Sequence, residues 1–310
     1  MYAILKKMRA PILSAFERRG VKRSTISRNL VAYAFLAPSL AFFVVFMIIP
    51  VIWTFGLSLQ EGGLLRATSF IGLSNYPTVI RDPRFRIAML NTLLYAVMVI
   101  PAVLTMGLFL AVLLRQVVFK TFFKSAVFFP HLSAMAIAAV VFSYMVHPEF
   151  GPLNQMLRLL HLPAQNWLGD PQLALPTVAL LEIWRSLGFN VIVYVAALGR
   201  VPEEIYEAGR LDGAHGWSAF WHITVPLIKP VILFTLVMAT VWNLQMFDSV
   251  FVLTRGGPVY STATVVWFLY DNAFYYDKVG IAATIAILLL LVTLVLTLIQ
   301  VRVLRSEVEY

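Results

Sequence analysis

The sequence predicts an all-α membrane protein with six transmembrane helices, and three observations predict it. Hydrophobic residues make up 60% of the 310-residue chain and charged residues only 13%, where soluble domains carry about 25% charged residues. Six apolar stretches reach the ~20 residues that a helix needs to cross a bilayer. The basic residues behind the net charge of +9 gather beside those stretches, which points to a membrane surface and not to nucleic acid. The chain contains no cysteine, so disulfides, thiolate metal sites and cysteine nucleophiles are excluded.

The first span is expected from Leu30 to about Leu59, interrupted by Pro38 and Pro50. The second runs from about Ile87 to Leu114 with Pro101 inside it, and the third from about Ser125 to Val146 with Pro130 near its start. The fourth runs from about Leu173 to Leu198, the fifth from about Ala219 to Phe247 with Pro226 and Pro230, and the sixth from about Val279 to Leu304. Runs of this length are helices and not the short alternating strands of a barrel. Prolines are tolerated in them because neighbouring helices and side chains satisfy the freed carbonyls. Three regions follow: a tail over 1–29, a transmembrane domain over 30–304 and a short C-terminal tail over 305–310.

The tail is not read as a cleavable signal peptide, because the apolar run after it is too long. It carries Lys6, Lys7, Arg9, Arg18, Arg19, Lys22, Arg23 and Arg28, with Ile4, Leu5, Met8, Ile12, Leu13 and Phe16 at near-helical spacing. Two readings stand: an interfacial helix on anionic lipid, or a basic anchor that only sets topology. With both termini in the cytoplasm, inner segments hold fifteen lysines and arginines and outer segments seven. The positive-inside bias therefore favours that orientation, although the outer loop with Arg66, Arg81, Arg84 and Arg86 dissents.

The cytoplasmic loop between the fourth and fifth spans, about 200–218, then stands out. Arg200, Glu203, Glu204, Glu207, Arg210 and Asp212 give it a net charge of two negative, where inner loops favour positive charge. Pro202 suits a first helical turn, and Glu203 and Glu204 there complement the helix dipole. Helix is expected to about Arg210, stopped by Asp212-Gly213, with a new helix beginning near Trp217. A short acidic helix between two spans is a natural knob for a basic groove on another protein.

The residues Glu207-Ala208-Gly209, Gly213 and Ile223-Thr224-Val225-Pro226 resemble the EAA loop of permease subunits in binding-protein-dependent ABC importers. That family's pattern is Glu-Ala-Ala, three residues, Gly, nine residues, then Ile-x-Leu-Pro. The spacing matches throughout; Gly209 replaces the second alanine and Val225 the leucine. Phe70-Ile-Gly-Leu-Ser-Asn-Tyr76, Asn91-Thr92-Leu93, Phe150-Gly-Pro-Leu-Asn154, Asn166-Trp-Leu168, Phe247-Asp248 and Leu253-Thr-Arg-Gly-Gly-Pro258 also resemble the carbohydrate-importing branch, so the resemblance covers nearly the whole chain after the tail.

The resemblance implies the type I ABC importer permease fold and a set of partners. These are a second, similar permease, two ATPase subunits, an extracytoplasmic binding protein and the bacterial or archaeal plasma membrane. It implies that Glu203, Glu204, Glu207, Ala208, Gly209, Asp212 and Gly213 form a coupling helix in a cleft of the ATPase, with Glu207 facing basic groups. Arg255, Gly256, Gly257 and Pro258 would meet the binding protein; a simple turn is the other reading. Cargo would be a sugar or oligosaccharide, with glycerol phosphate or another polyol as the alternative.

The chain holds no Gly-x-x-x-x-Gly-Lys-Ser/Thr loop, so ATP and Mg are expected on the partner ATPases and no cofactor on this chain. Its five histidines show no metal-ligand spacing, and no enzymatic activity is expected. Polar residues inside spans are costly and often functional. Glu182 and Arg185, three apart on the fourth span, form either a patch on the cargo path or an internal ion pair that lets the helix insert. Trp242, Asn243 and Gln245, with Tyr194, are candidate sugar contacts, since aromatic faces stack on sugar rings and amides bond hydroxyls; helix packing or an interfacial belt is the other reading. An ion-coupled secondary transporter or channel and an intramembrane enzyme are the competing classes.

Overall fold

The computed structural model describes residues 23–63, 69–115 and 117–304. The chain divides into two compact units, Met1–Gly56 and Leu57–Tyr310. In the first, α1 (Arg23–Phe43) passes through a π-helical turn, Val44–Ile48, into α2 (Ile49–Ser58), which ends in the second unit. Pro50 offers no N–H to the carbonyl of Phe46, and a proline ring crowds the carbonyl four residues back. The turn widens there, and the Ile49 N–H reaches the Val44 carbonyl. Phe35, Phe46 and Trp53 are exposed, which suits a helix solvated by acyl chains.

The second unit begins with an antiparallel pair, β1 (Gln60–Glu61) and β2 (Ser69–Phe70), in which Gln60 faces Phe70. There follow α3 (Asn75–Arg81), α4 (Pro83–Leu114), α5 (Lys120–Leu132), α6 (Met135–Met145), α7 (Pro152–Leu159) and α8 (Ala174–Leu198). After these come α9 (Glu203–Leu211), α10 (Trp217–Ala219), a π turn over Phe220–Thr224, α11 (Val225–Leu244), α12 (Asp248–Leu253), α13 (Val265–Tyr270) and α14 (Val279–Leu304). The π turn before α11 repeats the device of the first unit. Pro226 lies two residues past it, as Pro50 lies two past Ile48, and the Val225 N–H reaches the Phe220 carbonyl.

Among the described residues five helices are long and apolar enough to cross a membrane: Phe35–Ser58, Pro83–Leu114, Ala174–Leu198, Trp217–Leu253 and Val279–Leu304. The expected continuous third span is instead a pair, α5 and α6, bent by 99°; counted as one span, it makes six. Ser133 and Ala134 are extended, with ψ of 142° and 133°. The Ser133 hydroxyl turns back to the Pro130 carbonyl at 2.7 Å. The second span starts earlier than expected, at Pro83, because the Asp82 carboxylate accepts the Arg84 N–H at 2.8 Å and caps it. The sixth matches its expected bounds. The basic residues 6–22, Arg66 and the tail 305–310 lie outside the described residues.

Lipid is as apolar as leucine, so these helices gain little from burying apolar area and much from close approach. Small residues line the contacts: Ala88, Ala96, Ala111, Ala138, Ala139, Ala174 and Ala179 are buried. Gly188 of α8 lies against the backbone of Val127 and Phe128 in α5, where any Cβ would collide with the Val127 carbonyl. One core joins α4, α8 and α11 through Tyr95, Val99, Val178 and Ala239. Another joins α4, α13 and α14 through Phe85, Phe268 and Ile285.

Buried asparagines pin the connections. Asn75 donates to the Ser58 and Gln60 carbonyls, both at 2.9 Å. Asn91 donates to Tyr260 and Ala263, and the Thr92 hydroxyl accepts the Val265 N–H. Asn154 donates to the Pro148 and Gln165 carbonyls and accepts from Trp167 Nε1. These residues carry part of the family resemblance, and their work is to satisfy backbone that a membrane cannot hydrate.

Candidate functional site

The fourth span and the end of the fifth, singled out separately by their polar residues, meet at one cavity of about 280 Å³. Glu182, Arg185 and Ser186 of α8 form one wall, and Trp242, Asn243 and Gln245 at the end of α11 form another. Arg185 donates to the two Glu182 oxygens at 3.4 and 3.5 Å, and the Ser186 hydroxyl donates to Glu182 as well. The two readings of this pair are therefore compatible: it is an internal ion pair, and it faces the cavity.

The cavity also takes in residues that sequence reasoning missed. Tyr95 enters from α4, His131 from the α5–α6 bend and Ser249 from α12. Tyr95 Oη, His131 Nδ1 and Ser249 Oγ are buried there, with Tyr95 beside Ser249 and His131 beside the Arg185 backbone. Polar side chains from α4, α5, α8, α11 and α12 therefore converge at one cavity in an otherwise largely apolar protein, and such groups inside membrane spans are costly and often functional. Aromatic rings edge it: His131 lies 5.6 Å from Phe189, and Phe189 meets Trp242 edge-on at 5.1 Å. Asn243 is buried and its Nδ2 donates to the Ala239 carbonyl at 2.8 Å, while Trp242 and Gln245 are exposed. Tyr194 lies elsewhere. It is buried among Ala111, Leu198 and Ile228, with its hydroxyl 2.7 Å from Thr235 Oγ1, which is a packing position.

The acidic loop is a helix, α9, with no buried residue. Helical phase divides it into two faces. Glu203, Tyr206 and Arg210 turn toward the spans and each other: Glu203 pairs with Arg210 at 3.1 Å and with Arg115 at 3.6 Å. Glu204, Glu207 and Leu211 lie exposed on the other side. Among the described residues, Glu203 is thus engaged in ion pairs within the chain, and Glu204 and Glu207 are exposed on the other face. The helix ends in a Schellman motif. The Ala214 N–H reaches the Gly209 carbonyl at 2.8 Å, the Gly213 N–H reaches Arg210 at 3.2 Å, and Gly213 has φ of 83°. Ala208 and Asp212 are exposed, and Gly209 faces the tip of Ile223, where a Cβ would collide with Cδ1.

Residues 69–307 match the family described as the binding-protein-dependent transport system inner membrane component. The chain belongs to this family. It is a multi-pass permease subunit of the ABC-importer class. It is 35% identical to the probable ABC transporter permease protein YurN of Bacillus subtilis (strain 168), over 91% of this chain and 98% of that protein. The arabinooligosaccharides transport system permease protein AraP of the same organism is 34% identical, over 94% of each chain. Among solved structures, a chain of a bacterial alginate ABC transporter in complex with an alginate pentasaccharide-bound periplasmic protein superposes with a TM-score of 0.80. That chain is 26% identical, and the match covers 92% of this permease and 99% of that chain.

In this permease the Gly-Gly-Pro loop is packed. Gly256, with φ of 80°, faces the Trp267 ring so closely that a Cβ would sit 2.9 Å from it. Gly256 is buried, Gly257 and Pro258 are half-buried, and Arg255 is exposed.

Proposed function

We propose that this permease forms half of the membrane path for a sugar or oligosaccharide in an ATP-driven importer. The observation that carries the cargo class is the cavity, where Tyr95, Glu182, Ser186, Asn243 and Ser249 converge beside the Trp242 and Phe189 rings. Hydroxyl-rich rings hydrogen-bond such groups and stack on such faces. AraP's name and the alginate transporter's cargo support the same class.

The remainder of the assembly follows from that reading. Both termini lie in the cytoplasm, on the lysine and arginine asymmetry. A second permease completes the path, and two ATPase subunits hold the ATP and Mg, since the chain carries no phosphate-binding loop of its own and no catalytic set. A loaded binding protein docks at the outer face, where Arg255 is exposed. Glu204 and Glu207 of α9 enter the ATPase cleft as charge-assisted contacts, and Gly213 shapes the turn that presents them.

The test is purification with the neighbouring subunits in proteoliposomes and measurement of ATP hydrolysis stimulated by binding protein with candidate sugars. Glu207→Lys is expected to reduce that stimulation about tenfold, the cost of one charged contact near 1.4 kcal/mol, while the permease still inserts. Full stimulation in this variant, or solute movement by the permease alone down an ion gradient, would overturn the reading.

A further inference from the structure

Helix α9 buries none of its residues, so its hold on the spans rests on a few side-chain contacts. One lies at the π turn that leads into α11, where Tyr206 Oη is 3.2 Å from Thr224 Oγ1 and Gly209 meets Ile223. The other lies at Arg115, the residue that follows α4. Its guanidinium sits 5.0 Å over the Tyr206 ring and pairs with Glu203 at 3.6 Å. Glu203 Oε1 is held in turn by Arg210 at 3.1 Å. One planar cation is therefore fixed in two directions, by a carboxylate and by a ring face, which is a task for arginine and not for a point charge.

Both attachments lead to the cavity. Tyr95 lies twenty residues before Arg115 on α4, and Asn243 lies nineteen after Thr224 on α11. At 1.5 Å per residue each path is about 30 Å along the chain's helix, with Pro101 in the first and Pro226 and Pro230 in the second. We propose that Arg115 is a positioning residue that straps α9 to α4, so that a displacement of α9 moves the Tyr95 wall of the cavity together with the Asn243 wall. The proposal rests on the reading that α9 docks on an ATPase.

Stability alone does not account for the contact. Arg115 and Glu203 are 34% and 61% exposed, and exposed pairs contribute only ~0.2–1 kcal/mol. Loss of the strap should leave the fold intact and change what the helix can move.

The experiment uses the full complex in proteoliposomes and reads cargo transported per ATP hydrolysed, alongside subunit composition and thermal unfolding. For Arg115→Ala the expected result is an intact complex with a parent-like unfolding midpoint and about a tenfold lower transport per ATP. Arg115→Lys, which keeps the charge and loses the planar face, should recover part of that ratio. A parent-like ratio in Arg115→Ala overturns the proposal, and so does loss of the ATPase subunits from that variant, which would make the residue structural. Glu207→Lys run in parallel separates the two claims. If it uncouples while Arg115→Ala does not, only the strap fails; if it has no effect, the docking reading fails.

Discussion

Two carboxylate–guanidinium pairs, one at the cavity and one at α9, differ in what surrounds them. Glu182 and Arg185 lie 3.4 Å apart with side chains 12% and 21% exposed. They share one helix, the Ser186 hydroxyl and a cavity wall. Glu203 and Arg115 lie 3.6 Å apart with side chains 61% and 34% exposed, and they join α9 to the end of α4. The buried pair cannot lose a partner cheaply, because the remaining charge would sit unpaired in a low-dielectric interior. The exposed pair can, because water replaces either partner. The α8 wall of the cavity is thus fixed by its own ion pair, and α9 is joined to the end of α4 by an exposed one.

The strongest way to break that comparison is to remove one member of the buried pair. Glu182→Ala leaves Arg185 without its carboxylate, and is expected to destabilise the permease by roughly 3–5 kcal/mol. The readout is the yield of monodisperse complex and its unfolding midpoint. Replacing both residues, as Glu182→Leu with Arg185→Met, should recover most of the stability without recovering transport. A single variant as stable as the parent would mean that the cavity is hydrated enough to screen the charge, and the contrast with Glu203 would vanish.

A middle-sized effect sharpens the role of the cavity. Tyr95→Phe deletes a buried hydroxyl beside Ser249 and leaves the ring in place, so stability should change by no more than about 1 kcal/mol. If that hydroxyl meets cargo, the concentration of loaded binding protein needed for half-maximal transport rises about two- to tenfold, the equivalent of one hydrogen bond at ~0.5–1.5 kcal/mol. A loss of stability with unchanged transport would assign Tyr95 to packing.

The legible and illegible parts of this protein divide along physical lines. The sixth span is readable to its ends because Val279–Leu304 is a long apolar run without proline, carrying its one charge, Arg302, in the last turn. The acidic helix was readable because Pro202, its glutamates and Gly213 are local signals of start and stop. The bend between α5 and α6 was not: Pro130 was visible, but the chain turns at Ser133 and Ala134, two residues that carry no break signal in an apolar run. Glu182 and Trp242 were each suspected, yet nothing in the chain's order says that they share a cavity, or that Tyr95 and His131 join them. Those meetings are tertiary. Likewise the phase that separates Glu203 from Glu207 is local, but its consequence depends on Arg115, 88 residues earlier.

The smallest effect tests the lightly held end. Gly209 departs from the family's alanine, and the structure offers two opposing terms for Gly209→Ala. Removing a glycine from a helix interior gains about 1 kcal/mol. The new Cβ collides with Ile223 Cδ1, and moving that side chain off its rotamer costs on the order of 0.5–1.5 kcal/mol. The terms nearly cancel, so the unfolding midpoint and the coupling ratio should both stay close to the parent. Ile223→Val removes the colliding atom and exposes the hidden term: Gly209→Ala should then stabilise that background by about 1 kcal/mol. A large loss from Gly209→Ala alone would show that α9 is clamped against Ile223 and cannot shift. The contrast between a tightly held ion pair and a lightly held helix would then have to be abandoned, whatever Arg115 does.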